Sequence, residues 1–131
     1  IIWFTDIVIL SNDCEDGSDE MRYHLLKSGE IIHLRNNRPY DDRGIQFAAL
    51  ELAGRQKAVK EANWIRHLDI DEFLNIHVGD GQINDLITAL PEADAIALTW
   101  RMFGNNGTIE FKDRIITDQF ALAAQKIMHW P

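Results

Sequence analysis

Short apolar, β-branched runs alternate with helix-like segments along this chain of 131 residues, and that alternation constrains the fold most. The runs predict strands at residues 6–10, 30–34, 64–69 and 94–103. The segments between them predict helices at residues 19–27, 45–63 and 82–90, with residues 119–126 as a further candidate helix. Such alternation is typical of an α/β layer with a mainly parallel sheet, in which ligands bind beyond the carboxyl ends of the strands.

Three acids interrupt the apolar segment at residues 64–74, namely Asp69, Asp71 and Glu72. Unpaired buried charge is strongly disfavoured, so these carboxylates require either solvent or a cation. In an extended strand, residues i and i+2 point the same way, and Asp69 and Asp71 can then converge on one ligand. Carboxylate pairs suit Mg²⁺ or Mn²⁺, which bind through one or two carboxylates plus substrate phosphates. A strand end followed by a solvated acidic turn explains the same residues equally well.

A second acidic turn, with Asn12, Asp13 and Asp16, follows the first predicted strand. If the two strands are parallel neighbours, both acidic turns lie at one edge of the sheet. A nucleotide could then hydrogen-bond the first turn through its base or ribose and place metal-bound phosphates at the second. The alternative is loop chemistry, because Asp and Asn often hydrogen-bond their own backbone and cap helices.

Composition narrows the class of protein. The formal charge of −8, from 13 basic and 21 acidic residues, argues against general nucleic-acid binding, which needs Lys and Arg to neutralise phosphates. With 46% hydrophobic residues the chain can bury a core. A lone cysteine, Cys14, rules out an internal disulfide and is compatible with a reducing cytoplasm. No apolar run reaches the ~18 residues of a membrane span, so we expect a cytoplasmic protein, with peripheral membrane association left open.

Two other readings of the acidic turns fit the residues less well. A calcium-binding loop starting at Asp69 would need an oxygen ligand at Phe73 and a glycine at Leu74. An aspartyl-nucleophile phosphatase would carry Thr where Phe73 stands. Further along, Trp100 and Phe103 precede Asn105 and Asn106. Aromatic faces beside amides suit sugar binding, although Trp100 as a core residue is an equal alternative.

Three ordered segments together resemble the family 2-type glycosyltransferases. They read ILSNDCEDGSDEM (residues 9–21), WIRHLDIDEFLNIHVGDG (64–81) and LTWRMFGNNG (98–107). The second is similar to a bacterial subgroup whose metal-binding strand reads Trp-x-x-x-x-Asp-x-Asp-Glu-Phe. The resemblance implies a GT-A-like fold, a mainly parallel sheet flanked by helices. It also implies that residues 1–131 form a single domain, a fragment of a longer chain incomplete at both ends.

The same resemblance implies a metal-dependent hexosyltransferase that moves a sugar from a nucleotide-diphosphate donor, with a UDP-sugar favoured, to a glycan or lipid-linked acceptor. It would invert the anomeric centre in bacterial surface-polysaccharide synthesis. The implied nucleotide-binding residues are Asn12, Asp13, Asp16 and Asp69. The implied Mn²⁺ or Mg²⁺ ligands are Asp69 and Asp71, with His129 as a further candidate. The implied acceptor-binding residues are Trp100, Arg101, Phe103, Gly104 and Asn105, and the candidates for the catalytic base are Glu110, Asp113 and Asp118. The alternatives are a non-catalytic carbohydrate- or partner-binding domain of this fold and, third, the phosphatase.

Overall fold

The protein is a small α/β structure with a two-stranded parallel sheet. The computed structural model describes residues 4–37, 39–40, 42–110 and 112–125. The chain divides into two compact units, Ile1–Pro91 and Glu92–Pro131. In chain order the elements are β1 (Val8–Ser11), α1 (Ser18–Ser28), β2 (Ile32–Arg35), α2 (Ile45–Gly54), α3 (Lys57–Glu61), α4 (Ile83–Ala89) and α5 (Ile116–Gln119).

The first unit contains a β-α-β crossover built from β1, α1 and β2. The strands pair in parallel, with Val8 opposite Ile32 and Ser11 opposite Arg35. Parallel neighbours need a long connection, which α1 supplies. The ladder ends where the Asn36 N–H donates to the Ser11 carbonyl at 2.7 Å. The strands predicted at residues 6–10 and 30–34 are confirmed with boundaries shifted by one or two residues.

Glycines set both ends of α1. Gly17 precedes the helix with φ of 82°, and Gly29 follows it with φ of 78°. At the C-terminal end the Glu30 N–H donates to the Leu25 carbonyl at 3.1 Å, a bond that closes the last turn. The predicted helix at residues 19–27 is therefore confirmed, because its stop signal was local and required a left-handed residue.

The long helix predicted at residues 45–63 is instead two helices, α2 and α3. After Gly54 the chain tightens: the Gln56 N–H donates to the Ala53 carbonyl at 2.9 Å, an i→i−3 bond, and Gln56 then turns extended with ψ of 142°. Glycine has the weakest helix propensity after proline, so Gly54 is the point at which this helix is least stable. The helix predicted at residues 82–90 is confirmed as α4.

Residues 64–69 and 94–103, all described, form no strand, so those two predictions are wrong. The first segment runs into a turn in which the Glu72 N–H donates to the Asp69 carbonyl at 3.1 Å. The second ends in one isolated antiparallel bridge, Phe103 to Ala123. An apolar run shows that a segment can pack, but a strand also needs a hydrogen-bonded neighbour, which the run does not specify.

In the second unit, residues 102–104 and 122–124 are joined by backbone hydrogen bonds. On either side of the Phe103 bridge, the Gly104 N–H donates to the Leu122 carbonyl at 3.0 Å and the Ala124 N–H to the Met102 carbonyl at 2.8 Å. The prediction of a helix at residues 119–126 is wrong over its described part, because helix α5 ends at Gln119, where the predicted helix begins. Residues 120–125 are not helical, and residue 126 lies outside the described part of the chain.

Burial is concentrated beside the sheet. Among the described residues the buried ones are Ser11, Ile31 and Asn36, at the ends of β1 and β2. Many large apolar side chains elsewhere are exposed, including Ile70 and Phe73. In the described part of the chain, no helix combines the length and apolar character needed to cross a membrane.

Candidate functional site

A small open cleft lies at the carboxyl ends of β1 and β2, with a volume of about 140 Å³. The residues lining it are Ser11, Asp13, Cys14, Asp19, Arg35 and Asn37. Its position follows from the topology, because the parallel strands end together and their following loops diverge. The cleft therefore occupies the place at which the sequence predicts a ligand, and Asp13 is the predicted site residue that lines it.

Asp13 is held in an unusual backbone conformation. Its φ is 43°, in the left-handed region that Asp and Asn tolerate best among residues other than glycine. The Asp13 N–H donates to the side-chain oxygen of Asn37 at 3.4 Å. The hydroxyl of Tyr40 lies 3.5 Å from the Asp13 Oδ2 atom. The loop after β2 thus contacts both the backbone and the carboxylate of Asp13.

Asn12 and Asp16 are not among the residues that line the cleft. Both are exposed, and the Asn12 carbonyl accepts a weak bond from the Cys14 thiol at 3.6 Å. Asp16 accepts the Ser18 N–H at 3.1 Å just before α1, and hydrogen bonds from Ser18 lower the pKa of this carboxyl. This is the loop chemistry that the sequence left open as the alternative for Asp16.

A serine–histidine pair beside the cleft escaped sequence reasoning. Ser11 and His33 lie on one face of the sheet, and the Ser11 Oγ is 2.8 Å from the His33 Nε2. Burial, followed by the nearby cations of Arg22 and Arg35, lowers the pKa of His33, while the Asp19 carboxylate opposes the shift. This pair depends on the strand register, which the sequence does not reveal. The sequence indicates only that Ser11 and His33 are polar residues in or next to apolar runs.

Asp69 and Asp71 lie on an exposed turn rather than in a strand. Because residues 64–69 form no strand, strand alternation does not align Asp69 with Asp71, and this turn does not share a sheet edge with the Asp13 turn by way of a parallel strand. Glu72 is engaged locally: its carboxylate accepts the Asp69 N–H at 3.3 Å and pairs with Arg66 at 3.6 Å. The Asp69 and Asp71 side chains are solvent-exposed, and Ile70 between them is fully exposed.

The chemistry of this turn fits a divalent cation that arrives with a phosphate ligand. Mg²⁺ and Mn²⁺ are hard cations that need only one or two protein carboxylates when water and phosphate oxygens complete the shell. Among the described residues, no group of three or more His, Cys, Asp or Glu side chains is placed to hold a metal by itself. The remaining predicted ligand, His129, lies outside the described residues.

The predicted acceptor residues lie in the second unit. Trp100 and Phe103 are 71% and 56% exposed, so Trp100 is a surface residue rather than a core residue. Arg101 is also exposed, and its Nε donates to the Ala124 carbonyl at 3.3 Å. Gly104 lies beside the bridge, and the Asn105 side-chain oxygen accepts the Gly107 N–H at 3.3 Å. Residues 104–107 thus form a hydrogen-bonded turn that follows two exposed aromatic residues, Trp100 and Phe103.

The three candidates for the catalytic base, Glu110, Asp113 and Asp118, are all exposed. Asp118 lies in the first turn of α5. Exposure leaves each of them accessible, but it does not distinguish one from another.

Comparison with protein-family models, with curated proteins and with solved structures finds no match to this chain. The family resemblance of the three sequence segments is therefore a prediction, and the candidate site rests on the geometry of its residues.

Proposed function

We propose that this chain is the donor-binding part of a metal-dependent glycosyltransferase of GT-A-like fold, acting on a nucleotide-diphosphate sugar. The observation that carries the proposal is the cleft at the carboxyl ends of β1 and β2, with Asp13 at its lip. Open parallel α/β sheets bind ligands at this location. A UDP-sugar is the favoured donor, and a glycan or lipid-linked molecule is the acceptor.

The cleft residues suit the nucleoside end of such a donor. The Asp13 carboxylate accepts hydrogen bonds from ribose hydroxyls or from a base N–H. Arg35 and Asn37 add donors, and the amide of Asn37 also accepts. A volume of about 140 Å³ accommodates one ring of the ligand rather than the whole donor.

The exposed turn suits the diphosphate end. Asp69 and Asp71 would hold Mn²⁺ or Mg²⁺ there, and the cation would supply positive charge that stabilises the departing nucleoside diphosphate. Arg66 pairs with Glu72 at 3.6 Å beside this turn. The chain's net charge of −8 makes such local positive charge necessary for an anionic donor.

The test is a thermal unfolding series with UDP and Mn²⁺. Together they should raise Tm, because a ligand that binds only the folded state stabilises it by mass action. Asp71→Ala should abolish the shift. Asp80→Ala, which removes another exposed carboxylate of the same unit, should leave it intact. No Tm shift with any nucleoside diphosphate would overturn the proposal.

A second candidate function is non-catalytic carbohydrate binding, favoured by the exposure of Trp100 and Phe103 ahead of Asn105. Exposed aromatic faces cover the C–H surfaces of sugars, as they cover other apolar ligands. Glycan binding that persists in chelator and without nucleotide, and that Trp100→Ala abolishes, would support this candidate over the transferase.

A further inference from the structure

The loop between β2 and α2 is fastened by Asn36, which is only 5% exposed. Its N–H donates to the Ser11 carbonyl at 2.7 Å, and its side-chain Nδ2 donates to the Ile45 carbonyl at 2.9 Å. A buried amide bonded in this way ties the end of β1 to the start of α2. The loop that leaves β2 therefore begins from a fixed point beside the cleft.

Tyr40 extends from this loop to Asp13, which lines the cleft. Its hydroxyl donates to the Asn36 carbonyl at 2.7 Å and lies 3.5 Å from the Asp13 Oδ2 atom. A single O–H proton can be shared between two acceptors in a three-centre bond, with the nearer acceptor taking the larger part. The side chain is half-buried, so the hydroxyl is held by its surroundings.

Asp13 needs such support because its backbone is left-handed, with φ of 43°. Conformations of this kind persist where neighbouring groups determine them. Here the Asn37 side chain accepts the Asp13 N–H at 3.4 Å while Tyr40 approaches the carboxylate. Asn37 therefore contacts the backbone of Asp13, and Tyr40 contacts its carboxylate.

We infer that Tyr40 is a positioning residue that holds the Asp13 carboxylate toward the cleft, so that a nucleotide meets an acceptor already oriented. The inference rests on the proposed function, because it assigns Asp13 to the nucleoside end of the donor. Tyr40 acts through Asp13 and through the loop that Asn36 anchors. A carboxylate oriented in advance saves the ligand the cost of ordering it.

The first experiment measures UDP affinity by titration calorimetry in Mn²⁺ for the unmodified chain and for Tyr40→Phe. The variant keeps the ring but also loses the 2.7 Å bond to the Asn36 carbonyl, so Tm should fall by a few degrees, and the titrations are made well below the Tm of the variant. Its Kd should rise about three- to tenfold, the effect expected of one hydrogen bond. Tyr23→Phe, a change at an exposed tyrosine on α1, is the matched control and should leave Kd unchanged.

A double-mutant cycle then separates positioning from a general structural effect. In an Asp13→Asn background, Tyr40→Phe should add no further loss of affinity, because both changes act on the same carboxylate. In the ligand-free chain, Tyr40→Phe should also move the ¹³C resonance of the Asp13 carboxyl, and Tyr23→Phe should not.

The outcomes distinguish the inference from the proposed function. UDP binding that Tyr40→Phe leaves unchanged, or losses that simply add in the cycle, would overturn the positioning role alone. Failure of the unmodified chain to bind any nucleoside diphosphate would overturn the proposed function, and the inference with it.

Discussion

The Asp85 side chain organises the loop that precedes α4, and we expect its removal to lower the stability of the folded chain. One oxygen, Oδ2, accepts the N–H groups of both Asp80 and Gln82 at 2.9 Å. The Gln82 side chain in turn accepts the backbone N–H of Asp85, which completes a reciprocal capping box. The start of the helix therefore has three local hydrogen bonds of this kind, two accepted by the Asp85 carboxylate and one by the Gln82 side chain.

Asp85→Ala leaves two backbone N–H groups without their acceptor. Each bond contributes about 1 kcal/mol, and an acid in the first helical turn adds about 0.3–1 kcal/mol through the helix dipole. Because this segment is only half-buried, water recovers part of the loss, so we expect a net cost of about 2 kcal/mol. For a chain of this size that cost lowers Tm by roughly 5–10 °C.

Urea denaturation followed by circular dichroism measures the change, with Asn84→Ala as the matched control. Asn84 is exposed on the same helix, and its replacement should alter the free energy of unfolding by less than about 0.5 kcal/mol. Asp85→Asn should fall between the two, since it keeps an acceptor oxygen but loses the charge. Equal stability of the two alanine variants would refute the assignment of Asp85 as the organiser of this loop.

Two further predictions concern the β-α-β unit. His33 has a pKa lowered by burial and by the Arg22 and Arg35 cations, so the unfolded chain takes up a proton first as pH falls. The free energy of unfolding should therefore decrease below pH of about 6.5, and His33→Gln should flatten that dependence in urea midpoints measured at intervals from neutral to acidic pH; an unchanged slope would contradict the assignment. Gly29→Ala should cost about 1 kcal/mol in the same denaturation assay, because its φ of 78° is strained for a residue with a Cβ. Nothing lies within 4 Å of the added Cβ, so no clash adds to this cost. A neutral substitution would show that the left-handed turn is not required.

The sequence predicts the β-α-β unit because its signals are local. The apolar runs that become β1 and β2 lie on either side of a helical segment closed by Gly29, and a crossover that contains a helix makes parallel pairing the natural arrangement. The acidic turn with Asp13 then falls at the end of β1, as expected. Boundaries differ by a residue or two because they depend on hydrogen bonds such as that from Asn36 to Ser11.

Other parts of the site depend on contacts distant in sequence and could not be predicted. The bond between Ser11 and His33 follows from strand register, and the approach of Tyr40 to Asp13 spans 27 residues. Residues 64–69 include apolar side chains that favour packing, but hydrophobicity alone does not determine which strand a segment pairs with. The turn at Asp69 and Asp71 is consequently exposed where a buried strand end was expected.

We propose that the Asp13 turn and the Asp69–Asp71 turn bind the two ends of one metal–nucleotide ligand. The most direct test is paramagnetic broadening of backbone amide resonances by Mn²⁺ in the presence of UDP. We expect selective loss of signal at residues 69–72, a weaker effect at residues 12–17, and recovery of both in Asp71→Ala. Broadening that spares residues 69–72, or that survives Asp71→Ala, would contradict it.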